Sequence, residues 1–215
     1  MPAESGKGDY IYLFNLSQAG TKALIGDDSI EYESADALGV FAGATVNSKS
    51  QVDVTTTPVT VGVKATAALQ AGDMVYAYYP YSAENASAQA TSVTLNIPVV
   101  QSQNGTSYDA DAMPMVSLPC PVEGAVQAGA TESVGNLYMN NLGAVAQFNI
   151  YGADYASETI QSVSFLSENL AGDFTFDLTA VAAEEDLAIE GADAALVKTN
   201  VSNTLSVGVS GGFQA

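Results

Sequence analysis

Histidine, arginine and tryptophan are missing from the 215 residues, and Cys120 is the only cysteine. Without histidine the chain cannot form a Ser-His-Asp or Cys-His catalytic arrangement, or a histidine-ligated zinc or haem site. Without arginine it has no bidentate clamp for phosphate or carboxylate groups. The lone cysteine allows no disulfide bond within the chain and is interpreted as a small semi-buried apolar residue. We therefore predict a protein that is not an enzyme and has no cofactor.

Positive charge is also scarce. Five lysines stand against 24 acidic residues, which gives a formal net charge of −19. Such a chain repels nucleic acid and anionic lipid, so neither is an expected partner. No run approaches the roughly 20 consecutive apolar residues of a membrane-spanning helix. The low content of charged residues, 13%, and the small number of lysines suit an exported β protein.

Apolar and polar residues alternate along most of the chain. The clearest runs are Tyr10–Phe14, Val59–Val63, Val93–Val99, Ala144–Ile150 and Leu205–Val209. Each run is short, rich in β-branched or aromatic residues and bounded by turn residues, as in half-buried strands of antiparallel sheets. The best helical candidate, Glu184–Leu196, is interrupted by Gly191. The pattern therefore predicts an all-β sandwich or barrel.

A domain boundary is predicted near Gly152, where a polar turn follows an apolar run. Residues 1–152 are enough for a complete β-sandwich, whereas residues 153–215 are few for an independent β domain. We expect an N-terminal β-sandwich domain over 1–152 and a second, smaller or incomplete β domain over 153–215.

Four of the eleven tyrosines are close together, at Tyr76, Tyr78, Tyr79 and Tyr81. In a strand, Tyr76 and Tyr78 share one face, and Tyr79 and Tyr81 share the other. Exposed aromatic rings can stack on sugars, which makes these four residues candidate ligand contacts. The alternative is a structural role, because tyrosine combines a large apolar ring with a polar tip that suits the edge of a core.

Acidic residues come close together at Asp27–Asp28 and at Asp109 and Asp111. Carboxylates bind Ca²⁺, but neither run has EF-hand spacing, so calcium binding stays an open alternative. Carboxylate pairs also catalyse glycoside hydrolysis. The chain lacks tryptophan, arginine and histidine to bind a sugar substrate, which argues against a glycosidase site. We therefore predict no catalytic residues and no metal-binding residues.

Six segments follow one another in a recognisable order: Asp36–Ala42, Gly72–Tyr81, Tyr108–Met115, Leu142–Ile150, Ile160–Phe165 and Leu170–Phe174. They include a Y-A-x-Y-P-Y pattern and an I-x-S-V pattern. The ordered set, which spans about residues 36–178, resembles the fimbrillin-like (Mfa-like) family of Bacteroidetes surface proteins.

The resemblance implies two transthyretin-like β-sandwiches and export as a lipoprotein to the outer-membrane surface or a fimbrium (pilus). It implies a stalk, tip or anchor subunit in cell adhesion, with other fimbrial subunits or a host protein or glycan as partners. Subunits of this family assemble by strand exchange, a form of β-augmentation. The chain has no arginine for the family's protease to cut and no cysteine near its start. Either these features, with a lipid anchor, lay on removed N-terminal sequence, or this member matures in a different way.

The candidate exchanged strand consists of Tyr10, Ile11, Tyr12, Leu13 and Phe14, which are apolar on both faces and follow a polar leader. Two alternatives stay open: these residues form an ordinary edge strand, or the run Thr204–Val209 is donated instead. The predicted function is a structural subunit of a fimbria that assembles by strand exchange. The alternative function is a surface module that binds glycan or protein without polymerising.

Overall fold

A computed structural model describes residues 10–18, 32–43, 45–103, 112–123, 133–143, 159–183, 189–190 and 197–214. These residues contain strands and a short 3-10 turn at Ala83–Asn85, and no α-helix. The strands are β1 Tyr10–Gln18, β2 Ala37–Ala42, β3 Thr45–Asp53, β4 Thr60–Ala65, β5 Met74–Tyr79, β6 Val93–Ile97, β7 Val100–Gln103, β8 Met115–Ser117, β9 Cys120–Pro121, β10 Ser133–Asn141, β11 Thr159–Phe176, β12 Ala182–Ala183, β13 Ile189–Glu190 and β14 Val197–Gln214. The predicted all-β class is confirmed.

Seven strands close into a barrel-like sheet in the order β2-β3-β4-β1-β10-β8-β5, because β5 also pairs with β2. The short strand β9 pairs with β5. The expected antiparallel transthyretin-like sandwich is therefore corrected in two respects. The sheet closes on itself, and β1 runs parallel to β10. Closure pairs the backbone N–H and C=O groups that two separate sheets would leave unpaired at their edges.

The barrel interior is filled by the inward-facing residues of the alternating runs. Tyr12 and Phe14 of β1 pack there with Val61 and Val63 of β4 and Leu137 of β10. All five side chains are buried, and the four on β1 and β4 follow the two-residue period of one face of a strand. The first core of the protein is therefore enclosed by the barrel wall.

A second sheet, in the order β6-β11-β14-β7, packs against the outside of the barrel. Its contact with the wall is a second cluster of apolar side chains, which includes Leu95, Phe174 and Phe176 of the sheet and Phe41 and Tyr78 of the barrel. Strand β2 is buried along all six residues because it lies between the two cores.

The second sheet combines β6 and β7, which precede the predicted domain boundary, with β11 and β14, which follow it. The boundary itself, at residues 152 and 153, lies outside the described residues and stays a prediction. The run Ala144–Ile150 also lies outside them. Of the helical candidate Glu184–Leu196, only Ile189–Glu190 is described, and it is a strand paired with β12. In the described part of the chain, no helix has the length and hydropathy needed to cross a membrane.

Candidate functional site

Strand β1 lies inside the barrel sheet, between two partners. Tyr10–Asn15 pair antiparallel with β4, and most of Leu13–Gln18 pair in parallel with β10. The interpretation of residues 10–14 as an ordinary edge strand is therefore wrong. The barrel instead supplies a hydrogen-bonded neighbour along each edge of the strand.

The two faces of β1 meet different surroundings. Tyr12 is 1% exposed and Phe14 is 0% exposed, whereas Ile11 on the outer face is 46% exposed. The backbone N–H of Leu69 donates to the Tyr12 hydroxyl at 3.0 Å, and the rings of Tyr10 and Tyr12 stack with centroids 6.4 Å apart. The inward side chains of β1 therefore form part of the barrel core.

The parallel pairing between β1 and β10 is irregular at one point. Its register shifts between Leu13 and Asn15. There the Asn15 backbone N–H donates to the hydroxyl of Ser133 at 2.9 Å, and the Asn15 side-chain amide donates to Asn136 Oδ1 at 3.0 Å. At this point, polar side chains make hydrogen bonds between β1 and β10 in place of backbone–backbone hydrogen bonds.

Both neighbours of β1 are remote in sequence. Residues 19–36 separate β1 from β2, and neither β4 nor β10 is joined to β1 by a hairpin. Withdrawal of β1 would break its hydrogen bonds to β4 and β10 and its packing in the core. Because no hairpin turn joins β1 to either partner, no such turn would have to open. Withdrawal would leave a gap between β4 and β10 that is lined by the barrel core. This geometry is suited to replacement of one strand by another.

The second candidate donor, Thr204–Val209, also has partners on both sides. It lies in β14, which pairs antiparallel with β11, and Ser206–Val209 pair in parallel with β7. Within this run, residues 204–208, whose burial the structure describes, contribute no side chain to either of the two buried clusters, unlike β1. Its removal from the described structure would therefore expose less of the core than removal of β1.

The four clustered tyrosines do not form one exposed platform. Tyr78 is fully buried, and the Asn47 side-chain amide donates to its hydroxyl at 2.8 Å. Burial is the main cause that raises the pKa of Tyr78. Tyr79 is buried in the barrel interior, and its hydroxyl donates to Asp36 Oδ1 at 3.0 Å. Neither residue is placed to contact a ligand, so the structural alternative holds for both.

Tyr76 and Tyr81 are half-buried at the rim of the second cluster. The Lys49 ammonium lies 5.4 Å from the centroid of the Tyr81 ring, a cation–π distance. Tyr76 shares its face with Tyr78, as predicted. Tyr81 packs with the same cluster and not with Tyr79, so the predicted pairing of those two residues is wrong. The chain has left β5 before Tyr81, and strand alternation no longer applies to it.

Cys120 is buried, as its interpretation as a small apolar residue predicts. Burial raises the pKa of its thiol to about 11. The acidic pairs Asp27–Asp28 and Asp109 with Asp111 lie outside the described residues. Within the residues that are described, no group of three potential ligands could hold a metal ion.

The main feature that sequence reasoning missed is β10, the parallel neighbour of β1. Its buried residues do not follow a strict two-residue period, because Val134, Gly135 and Leu137 are all buried near the register shift. The only available signal was the turn-rich sequence on either side of it. The polar partners Ser133 and Asn136 were missed for the same reason.

Comparisons with models of protein families, with curated proteins and with solved structures found no match.

Proposed function

We propose that this chain is a structural, non-enzymatic subunit of a cell-surface fimbria, and that subunits join by exchange of β1. The observation that carries the proposal is the position of β1 between two strands that are remote in sequence, with its inner face in the barrel core. The resemblance of residues 36–178 to fimbrillin-like proteins supports the same function. It also supports export to the outer-membrane surface, with a stalk, tip or anchor role.

Exchange of β1 requires an incoming strand. Withdrawal of β1 exposes Tyr12, Phe14 and Leu16, and each large apolar side chain loses about 1.5–3 kcal/mol of burial free energy. Spontaneous opening is therefore rare. A strand of similar pattern from another subunit restores both the burial and the lateral hydrogen bonds to β4 and β10. The same surfaces that hold β1 in the monomer thus provide the free energy of assembly.

The test uses a disulfide that locks β1 in place. Ile11 and Lys64 are directly opposite each other on β1 and β4, so Ile11→Cys/Lys64→Cys can close a bridge across the pair. The wild-type protein is expected to form polymers after limited proteolysis, seen by light scattering and electron microscopy. The oxidised locked variant is expected to stay monomeric and to polymerise once reduced.

The matched control is Asp53→Cys/Thr60→Cys, which joins β3 to β4 and leaves β1 unlocked. It is expected to polymerise whether oxidised or reduced. If the oxidised β1 lock polymerises as fast as this control, β1 is not the exchanged strand. If the wild-type protein never polymerises under any proteolytic treatment, the subunit function itself is rejected.

The alternative function is a surface module that binds glycan or protein without polymerising. The half-exposed ring of Tyr81 beneath the Lys49 ammonium is the observation in its favour. It predicts that Tyr81→Ala loses glycan-array binding while Tyr79→Phe keeps it, because Tyr79 is buried away from solvent.

A further inference from the structure

In the part of the chain that the structure describes, β6 is an edge strand of the second sheet. Among the described strands it pairs with β11 and with no other strand. An edge of this kind presents unpaired N–H and C=O groups that can recruit a further strand. The groups that bond to this edge therefore decide whether a further strand can pair with it.

The side chain of Asn85 covers the middle of that edge. Its carboxamide oxygen accepts from the Thr94 backbone N–H at 3.1 Å, and its amide donates to the Thr94 backbone C=O at 2.6 Å. Thr94 is opposite Thr175 of β11, but both of its backbone groups bond to Asn85. One carboxamide thus makes the two bonds that a residue of a neighbouring antiparallel strand would make.

The turn that carries Asn85 is held in place. The Ser82 side chain accepts from the Glu84 N–H at 3.2 Å, and the Asn85 N–H donates to the Ser82 C=O at 3.2 Å. The Asn47 side-chain amide donates to the Asn85 C=O at 2.8 Å. Asn85 itself is only 5% exposed. A buried carboxamide in a fixed turn is pre-organised to meet β6 and loses little entropy when it does so.

We propose that Asn85 is an edge cap that keeps a second copy of this chain from pairing along β6. A carboxamide across Thr94 occupies the positions that the backbone of another strand would need. Without it, β6 of one copy would pair antiparallel with β6 of another about a two-fold axis.

The lack of charge on β6 lets a second copy of the chain occupy an uncapped edge despite the overall negative charge. The chain carries a net charge of −19, which opposes most contacts between copies. Strand β6, with the sequence Val-Thr-Leu-Asn-Ile, has no charged residue. The uncapped edge would therefore bring two copies together along uncharged backbone. The proposal concerns β6 alone and does not depend on the exchange of β1.

The experiment compares Asn85→Ala with wild type by multi-angle light scattering and by hydrogen exchange over a wide range of protein concentration. The wild-type chain is expected to protect the Thr94 amide at every concentration, because Asn85 accepts its hydrogen. In Asn85→Ala the Thr94 amide is expected to exchange rapidly in dilute solution. Protection is expected to return at high concentration together with the mass of a dimer.

Two further variants separate edge pairing from general destabilisation. Asn203→Ala removes another interstrand asparagine, which accepts from the Asn169 N–H between β11 and β14 and does not touch β1, and is expected to stay monomeric. Adding Thr94→Pro to Asn85→Ala removes the outward N–H of β6, and this double variant is expected to return to a monomer. If Asn85→Ala does not fold, Asn85→Ser replaces it, because a hydroxyl is too short to meet both backbone groups of Thr94.

Three results overturn the proposal. The first is a folded, uncapped variant that stays monomeric at every concentration. The second is self-association in which the Thr94 amide never regains protection, because the contact then lies elsewhere. The third is equal self-association of Asn203→Ala.

Discussion

The ring of Tyr78 on β5 occupies the space beside Gly39 on β2 in which any other residue would place its Cβ. The two residues are direct partners in the antiparallel pairing of β2 with β5. They lie on the barrel wall that the second sheet covers, and Tyr78 is fully buried there. The close approach of ring to backbone thus accounts for a glycine in the middle of a buried strand.

Replacement of Gly39 by alanine is expected to destabilise the protein. The new methyl group would overlap the Tyr78 ring, which is enclosed and cannot move aside without disturbing the second cluster. Overpacking of this kind costs about 1–3 kcal/mol of unfolding free energy, measured by urea denaturation. The matched control is Gly62→Ala, whose Cβ would meet only Ile11 Cγ2 at 3.9 Å. Equal stability of Gly39→Ala and Gly62→Ala would contradict this prediction, because it would show that the Tyr78 ring moves aside at little cost in free energy.

The variant Tyr12→Phe is expected to lower the unfolding free energy by about 1–3 kcal/mol, because it leaves the buried N–H of Leu69 without its acceptor. Thermal or urea denaturation measures the loss. Tyr10→Phe is the control, since the Tyr10 ring stacks on Tyr12 and would keep that contact. If Tyr12→Phe is as stable as wild type, the Leu69 N–H has found another acceptor.

Cys120 is expected to resist alkylation in the folded protein. Burial raises the pKa of its thiol to about 11, so roughly a thousandth of it is ionised at pH 8. Modification by iodoacetamide, followed by mass spectrometry, is expected to be slow in native buffer and fast in denaturant. Rapid modification of the native protein at pH 8 would contradict the burial of this thiol.

The seam between β6, β11 and β14 is expected to weaken in acid. Hydrogen bonds from Asn200 and then Asn96 lower the pKa of Asp173 below its ordinary value of 3.8. The carboxylate form is therefore favoured in the folded state. Its stabilising contribution is present above the ordinary pKa and is lost as pH falls through the lowered value. Asp173 is partly exposed to solvent, which screens the interaction, so the contribution is less than about 1 kcal/mol.

Urea denaturation at a series of acidic pH values measures this effect. Asn200→Ala is expected to reduce the pH dependence of the unfolding free energy, because it removes the largest cause of the lowered pKa. Asn203→Ala is the control from the same strand, since its side chain bonds to the Asn169 N–H and not to Asp173. A pH dependence that is unchanged in Asn200→Ala would contradict the assignment.

The alternation of apolar residues predicted several strands and their buried faces. Tyr12 and Phe14, and likewise Val61 and Val63, point into the barrel because a strand turns every second side chain to the same side. The same reasoning failed for the tyrosine cluster. Tyr78 and Tyr79 are both buried because β5 lies between two cores, and alternation cannot tell whether the second face of a strand is covered.

The sequence by itself determined the all-β class, the absence of histidine and arginine chemistry and the positions of several alternating strands. These properties are local, since they follow from residue types and from spacing within a few positions. Only the tertiary structure decided that β1 joins β4 to β10, that the sheet closes into a barrel, and that Asn85 covers the edge of β6. Pairing between strands far apart in sequence depends on packing and hydrogen bonds across the whole fold, and no local pattern records the partner.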